Sequence, residues 1–312
     1  MSSRLSYSAP AKVILFGEHA VVYGKPAIAV PVSSLRATAS YTPNEEGLRI
    51  NALDLNAVLP VDIDSDMVDN ALVITARLLL AHLNAPPPKV TITLSSTIPM
   101  ASGLGSGAAV STALARALLG ALGASFSIED LNQLIYEIEK LHHGTPSGID
   151  NTVIVYEKPV YFVRGQDLET LNIGQPFTLV IGDTGEAALT RVAVGDVRQL
   201  VEGDPVRMQP ILDAIQHISE RARRAIEQGD VASLGPLMDE NHDYLQQLTV
   251  SSPGLDTLVA AARSAGAWGA KLSGGGRGGN MIALASAERA EAVQEALLRA
   301  GAVRAFITIV GA

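Results

Sequence analysis

Glycine recurs at every second position from Gly103 to Gly107, immediately before a long alanine-rich segment with apolar residues at helical spacing. Glycine allows the backbone to turn tightly and to approach a ligand closely. The first amide N–H groups of the following helix have no intrahelical partner, and they carry the positive end of the helix dipole. This pattern predicts an anion-binding site, for which a nucleotide phosphate is the usual ligand. A dinucleotide-binding loop and a plain turn before a core helix share the same pattern.

Other nucleotide-binding and catalytic signatures are missing from the sequence. It has no Gly-x-x-x-x-Gly-Lys-[Ser/Thr] string, no serine nucleophile elbow, no His-Glu-x-x-His and no protein-kinase catalytic string. A dinucleotide fold requires the glycines directly after a strand and an acid about 20 residues further on, at the end of the next strand. Here residues 98–102 intervene, and Glu129 begins a helix instead. These departures disfavour the dinucleotide interpretation.

The amino-acid composition limits the possible binding partners and the cellular compartment of the protein. The 312 residues include no cysteine, which excludes disulfides, zinc–thiolate sites and thiol nucleophiles. The net charge is -9, from 23 Lys+Arg against 32 Asp+Glu, so a nucleic-acid partner is not expected. No apolar run reaches membrane-spanning length, and no signal peptide is recognisable at the start. We expect a cytoplasmic protein whose positive potential is local, supplied by helix ends, a few cations and a metal.

The spacing of apolar residues and the turn signals predict two α+β lobes. The predicted strands are Ser6–Pro10, Val13–Phe16, Ala27–Tyr41, Leu48–Asn51, Lys89–Ser95, Thr152–Tyr156, Val160–Val163, Phe177–Gly182, Gly269–Leu272, Asn280–Ala285 and Val303–Val310. The predicted helices are Asp66–Leu83, Gly107–Leu122, Ser127–Leu141, Thr190–Val201, Pro205–Gln228, Val231–Leu248, Leu255–Ala265 and Ala287–Ala300. The polar composition of Arg164–Gly174 predicts a boundary there, between lobes of residues 1–170 and 171–312.

Three segments carry a resemblance to a known family. PAKVILFGEHAVVYG (10–24), PMASGLGSGAA (99–109) and KLSGGGRGG (271–279) resemble, in order and spacing, the three signature motifs of the GHMP small-molecule kinases. GEHAVVYG together with HGTPSGIDN is similar to one branch of that family, whereas galactokinases carry a different first motif. The resemblance implies a ribosomal S5-like N-terminal lobe with the phosphate and catalytic motifs, a ferredoxin-like C-terminal lobe, and an active site in the cleft between them. It also implies ATP, magnesium and a small alcohol acceptor.

The resemblance assigns catalytic roles to Asp150 and Lys12. By itself, Asp150 is typical of a turn or capping aspartate, and Lys12 of a lysine that extends from an apolar strand to solvent. In the family, the matching carboxylate accepts the proton of the acceptor hydroxyl as that oxygen attacks the γ-phosphorus. The matching ammonium lies near the carboxylate and the hydroxyl, keeps the carboxylate ionised and offsets developing charge.

The resemblance also implies where phosphates and metal bind. The phosphate-binding residues are those of the second motif, namely Gly103, Leu104, Gly105, Ser106, Gly107 and Ala108. Ser106 and Glu139 are implied as the magnesium ligands, although without the resemblance they are typical of a helix cap and of a solvent-facing helix position. Magnesium commonly takes one or two protein oxygens and leaves the other positions to phosphates and water.

For the acceptor, the resemblance implies that His19 contacts its polar end, a carboxylate or a hydroxyl, with Glu18 in support and Thr190 nearby. A histidine satisfied by its neighbours and a simple helix-capping threonine are the alternatives. The chain departs from the family pattern at Gly107, usually serine, and at Arg277, usually glycine. We expect Arg277 to reach a phosphate.

Other functions stay open at this stage. A phosphorylated acceptor would need additional cationic residues, and the sequence offers few. A nucleotide or metabolite sensor on the same fold would tolerate loss of the base or of the metal ligands, which are all present. A nicotinamide-dependent oxidoreductase and a homodimeric assembly are also left open.

Overall fold

The computed structural model describes residues 5–62, 70–143, 146–187 and 190–311. The chain divides into two compact units that interleave along the sequence. Unit 1 comprises Met1–Ala11, Leu35–Pro99 and Gly105–Glu157. Unit 2 comprises Lys12–Ser34, Met100–Leu104 and Lys158–Ala312. Strands β1 (Ser6–Phe16) and β2 (Ala27–Pro43) therefore each contribute residues to both units.

Unit 1 consists of a mixed sheet and helices. Its strands, besides parts of β1 and β2, are β3 (Arg49–Ala52), β4 (Ala57–Pro60) and β5 (Val90–Ser96). The order is β4-β3-β5-β2, with β3 and β5 parallel and the other two pairs antiparallel. Its helices are α1 (Ala71–Leu83), α2 (Ser106–Leu122), α3 (Ile128–His143) and α4 (Ile149–Tyr156). Alanine and leucine on α2 are buried against its neighbours, which fixes the direction of the helix that follows the glycine loop.

Unit 2 contains an antiparallel four-stranded sheet in the order β11-β8-β10-β9. These strands are β8 (Phe177–Asp183), β9 (Gly269–Ser273), β10 (Asn280–Ala285) and β11 (Arg304–Val310). Two short strands, β6 (Val160–Phe162) and β7 (Glu169–Thr170), pair with each other, and β6 also pairs with the start of β2. The helices are α5 (Thr190–Gly203), α6 (Pro205–Gln228), α7 (Leu234–Gln247), α8 (Pro253–Ser264) and α9 (Ala287–Arg299). Every residue of β9 and β10 is buried, so these two strands form part of the core.

The α+β class and most predicted elements are confirmed, and the differences have physical causes. The segment Thr152–Tyr156, predicted as a strand, belongs to helix α4. Its run of β-branched residues favours a strand locally, but those side chains are buried in unit 1, and such burial overrides propensity. The two predicted strands within Ser6–Phe16 are one continuous strand. Helix α1 begins at Ala71, capped by the Asn70 side chain, and the predicted start at Asp66 lies outside the described residues.

Candidate active site

The glycine loop before α2 has the backbone that the sequence predicts. Gly103 and Gly105 have φ values of 85° and 74°, in the left-handed region that favours glycine. Gly105 caps the helix without a side-chain hydrogen bond, and the first intrahelical bond is donated by the Ala109 amide. The amides of Ser106 to Ala108 therefore have no intrahelical acceptor, and Gly107 is exposed. This helix end is suited to an anionic group.

The carboxylate of Glu139 lies beside the same helix end. Glu139 is buried on the last part of α3, and its Oε1 lies 3.4 Å from the position that a Cβ on Gly107 would occupy. A hydroxyl on Ser106 and a carboxylate at this turn form a donor set that fits magnesium, which takes few protein ligands when phosphates supply the others. Within the described ranges, no group of three or more acidic, histidine or cysteine side chains marks a metal site made by protein alone.

Asp150 lies in the first turn of α4 rather than in a loop before a strand. The turn is fixed by its neighbours: Gly148 has a φ of 92°, and the Thr152 hydroxyl donates to the Gly148 carbonyl at 2.7 Å. Asn151 donates from Nδ2 to Oδ1 of Asn132 on α3 at 2.7 Å. Asp150 is half-buried, so its carboxylate has a defined backbone position and access to solvent.

The three signature motifs contact one another within unit 2. The amide of Lys12, in the first motif, donates to the Leu104 carbonyl in the second at 3.0 Å. Asn280, directly after the third motif, donates from Nδ2 to the Ser102 carbonyl. Ser273 of the third motif bonds twice with Ile14 of the first: its hydroxyl accepts from the Ile14 amide at 3.1 Å and donates to the Ile14 carbonyl at 2.9 Å. The expected approach of the Lys12 ammonium to Asp150 stays a prediction.

His19 is held in an unusual conformation against the third motif. Its φ is 61°, its side chain is only 4% exposed, and Nε2 lies 3.0 Å from the Gly275 carbonyl oxygen. Because a carbonyl only accepts, Nε2 carries the hydrogen and Nδ1 is left as an acceptor. Among the described residues, Nδ1 has no hydrogen-bond partner. Burial lowers the pKa of His19 to about 4, so the ring is neutral near pH 7.

Thr190 lies at the same glycine. A Cβ placed on Gly275 would come within 2.6 Å of the Thr190 hydroxyl oxygen, so only glycine permits this approach. Thr190 is exposed and begins α5. The structure thus brings His19 and Thr190, two of the residues implied for acceptor binding, to the same glycine residue.

Glu18 forms a buried ion pair that the sequence did not predict. Its Oε1 accepts from Nζ of Lys271 on β9, and both side chains are 0% exposed. Burial raises the pKa of the Glu18 carboxyl and lowers the pKa of Lys271, so each charge is maintained by the presence of the other. The only sequence signal for Lys271 was its place at the start of the third motif.

Arg277 has a different partner from the one expected. Its guanidinium pairs with Asp196 of α5, and Nε donates to the Thr249 carbonyl at 3.4 Å. These contacts lie within unit 2, and the expected contact of Arg277 with a phosphate stays a prediction. Its φ of 58° lies in the left-handed region, which explains in physical terms why glycine is the usual residue of the family at this position.

The fold and the motif contacts define a small-molecule kinase of the GHMP class. Residues 70–158 match the GHMP kinases N terminal domain, and residues 222–303 match the GHMP kinases C terminal domain. The chain belongs to the GHMP kinase family, which confirms the resemblance inferred from the three motifs.

Within that family, the most similar relatives include mevalonate kinases. The mevalonate kinase of Pyrococcus horikoshii is 38% identical over 314 residues, which cover 95% of this chain and 92% of the relative. That of Thermococcus sibiricus is 37% identical over 306 residues, covering 92% and 91%. The crystal structure of L. major mevalonate kinase in complex with R-mevalonate superposes with a TM-score of 0.85 at 30% identity, covering 99% of this chain and 98% of that one.

Proposed function

We propose that this chain is an ATP-dependent kinase that phosphorylates the primary hydroxyl of mevalonate, giving 5-phosphomevalonate and ADP for isoprenoid precursor synthesis. The observation that carries the proposal is the 38% identity to a mevalonate kinase across 95% of the chain. The residues proposed for the chemistry, Lys12, Ser106, Glu139 and Asp150, are all present in the sequence.

The nucleotide phosphates are proposed to bind at residues 103–108, where the N-terminal amides of α2 lack intrahelical acceptors. Ser106 and Glu139 are proposed to hold magnesium, which neutralises charge on the phosphate oxygens when bound. The position of Glu139 beside Gly107 supports this assignment.

The proposed reaction is a direct in-line transfer without a covalent enzyme intermediate. The acceptor oxygen forms a bond to the γ-phosphorus while the bond from that phosphorus to the ADP oxygen breaks. Asp150 takes the proton of the attacking hydroxyl, and Lys12 offsets the negative charge that develops on the transferred group. Positioning and charge stabilisation supply most of the acceleration, and a base adds about 10²–10⁴-fold.

Three other functions are compared with this one. A kinase of phosphomevalonate or of another small alcohol would share the fold, and a sensor would bind nucleotide without turnover. The retained base and metal ligands favour an enzyme over a sensor. Nicotinamide chemistry is not supported, because the matched family consists of kinases.

An ADP-release assay over a panel of small alcohols separates these functions. We expect turnover with mevalonate and at most weak turnover with phosphomevalonate and other polyols. Asp150→Asn is expected to lower kcat by about 10²–10⁴-fold through loss of the proton acceptor. Asp213→Asn, which removes an exposed carboxylate paired with Lys25, is the matched control and should retain wild-type kcat. Wild-type turnover in Asp150→Asn, or preference for another alcohol, would refute the proposal.

We also propose the lobe boundaries, the cellular location and the oligomeric state. The lobes 1–170 and 171–312 are proposed from composition and family resemblance. A cytoplasmic location is proposed from the absence of cysteine; no helix among the described residues has the length and apolar character needed to cross a membrane. A homodimer is also proposed, and light scattering of the purified protein tests it directly.

A further inference from the structure

Lys271 has no part in the chemistry described above, yet it is completely buried. It lies in the middle of β9, a strand whose five residues are all buried. Taking an ammonium group out of water is unfavourable unless a charged partner and additional hydrogen bonds compensate. A buried lysine on a core strand therefore indicates a specific partner.

That partner belongs to the first motif. Lys271 Nζ donates to Glu18 Oε1 and to the Leu272 carbonyl oxygen, the latter at 2.7 Å. The second carboxylate oxygen of Glu18 lies 3.5 Å from Nδ2 of Asn241 on α7. Glu18 is thus held from β9 and from α7, and its side chain has little freedom to move.

The residue after Glu18 is the strained His19. A non-glycine residue with a φ of 61° persists only when surrounding contacts determine its conformation. One such contact is the ion pair that Lys271 forms with Glu18, the residue directly before His19. Another is the hydrogen bond from the His19 ring to the carbonyl of Gly275, which lies four residues after Lys271. The backbone between them is fixed as well, because the Ala20 amide donates to the Glu18 carbonyl at 2.7 Å.

We propose that Lys271 is a positioning residue for acceptor binding, which acts by anchoring Glu18 and thereby holding His19 in one orientation and one tautomer. In that tautomer Nε2–H donates to Gly275, and Nδ1 offers a lone pair. Nδ1 can accept a hydrogen bond from a hydroxyl of the acceptor, whereas it has no proton to donate to a carboxylate. The claim that Lys271 fixes the His19 tautomer rests on the geometry alone. The claim that this tautomer binds the acceptor rests on the proposed function.

Lys271→Met tests the anchor, because methionine has a similar length and neither charge nor donor. We expect the Michaelis constant for the acceptor to rise at least about tenfold, by loss of a charge-assisted anchor, while that for ATP stays within about twofold. In the ligand-free protein, the imidazole ¹⁵N shifts of His19, assigned with His19→Asn, should change from the Nε2–H tautomer to a mixture. Lys25→Gln removes a lysine from a more exposed pair with Asp213 and should change neither measurement.

Two double variants separate positioning from stability. Glu18→Gln with Lys271→Gln keeps a hydrogen-bonded amide pair, and we expect it to recover the acceptor Michaelis constant to within about threefold and the tautomer fully. Glu18→Leu with Lys271→Met removes both charges of this buried pair. It therefore tests the role of Lys271 even if Lys271→Met alone does not fold. It should fold and show the mixed tautomer.

The outcomes distinguish the two proposals. A single Nε2–H tautomer in folded Lys271→Met or in the Leu/Met double variant would overturn the role of Lys271, as would an equal rise in both Michaelis constants. Absence of mevalonate turnover in the wild type would instead refute the proposed function. The tautomer measurement on ligand-free protein is unaffected by that result.

Discussion

At the scale of single residues, the groups proposed to do chemistry were visible in the sequence and their supports were not. Asp150 and Glu139 could be predicted because motif resemblance assigns them. Lys271 could not, since a lysine on an apolar strand usually extends to solvent. Its burial depends on Glu18, 253 positions away in the sequence, and no local pattern reports such a contact.

The neutral, buried His19 predicts a pH dependence of stability. Its pKa is about 4 in the folded protein against 6.5 for the free side chain, so the unfolded chain binds the additional proton between these values. Stability therefore falls as pH decreases from about 6.5 to about 4, by about 3 kcal/mol from this residue. His19→Asn, whose side chain tolerates a positive φ, should remove that part of the decrease in urea-unfolding curves.

The comparison needs a second histidine variant as its control. Burial also lowers the pKa of His242 below its ordinary value, so this residue also destabilises the fold as the pH falls below about 6.5. His242→Gln should remove its own contribution and leave that of His19 unchanged. Parallel pH curves for wild type and His19→Asn would show that His19 is not held neutral by the fold.

The proposed metal ligand can be tested with a neighbour on the same helix. Glu139→Gln keeps the size of the side chain and removes the negative charge, so we expect the magnesium concentration for half-maximal activity to rise at least about tenfold. Glu137→Gln changes a side chain that is 44% exposed and paired with Lys140, and it should leave that concentration unchanged. An equal response of the two variants would argue against Glu139 as a ligand.

At the scale of elements, periodicity and turn signals predicted most helices and strands, including the fully buried β9 and β10. The strand predicted at Thr152–Tyr156 is the clearest failure, because α4 is buried on nearly all sides and so lacks a polar face. The difference bears on the proposed base, since Asp150 is placed by a helix turn rather than by a loop.

The contact between α3 and α4 should stabilise that turn. Asn132→Ala removes the side-chain acceptor of the buried Asn151 amide and leaves only the Asn132 carbonyl, at 3.4 Å. We expect a loss of about 1–3 kcal/mol in unfolding free energy. Turnover should fall as well, because Asp150 directly precedes Asn151. Gln133→Ala, an exposed neighbour bonded to Glu137, should change stability by less than about 0.5 kcal/mol. Equal effects of both variants would contradict a role for the Asn132–Asn151 bond.

At the scale of the whole molecule, the spacing of apolar residues predicted the α+β class and the motif order predicted the family. The interleaving of the two compact units went unpredicted. Residues 12–34 belong to unit 2 although they lie near the start of the chain. Composition shifts such as the one at 164–174 mark polar loops, and they carry no information about which distant segment completes a sheet or a core.

Interleaving predicts that the C-terminal part cannot fold alone. A fragment of residues 158–312 lacks the partners of Lys271 and Ser273, namely Glu18 and Ile14, and leaves a lysine buried without its counterion. We expect a broad, non-cooperative thermal transition by circular dichroism, in contrast to the full chain. A peptide of residues 12–34 should sharpen the transition. Cooperative unfolding of the fragment by itself would show that unit 2 does not need its N-terminal segment.

The ion pair of Glu18 and Lys271 also has a consequence for biosynthesis. The carboxylate leaves the ribosome 253 residues before its counterion. Until Lys271 is available, Glu18 must stay hydrated, so the segment around it remains incompletely folded while the intervening chain is synthesised. The nascent protein can therefore assemble the turn around Glu18 only after Lys271 has been made.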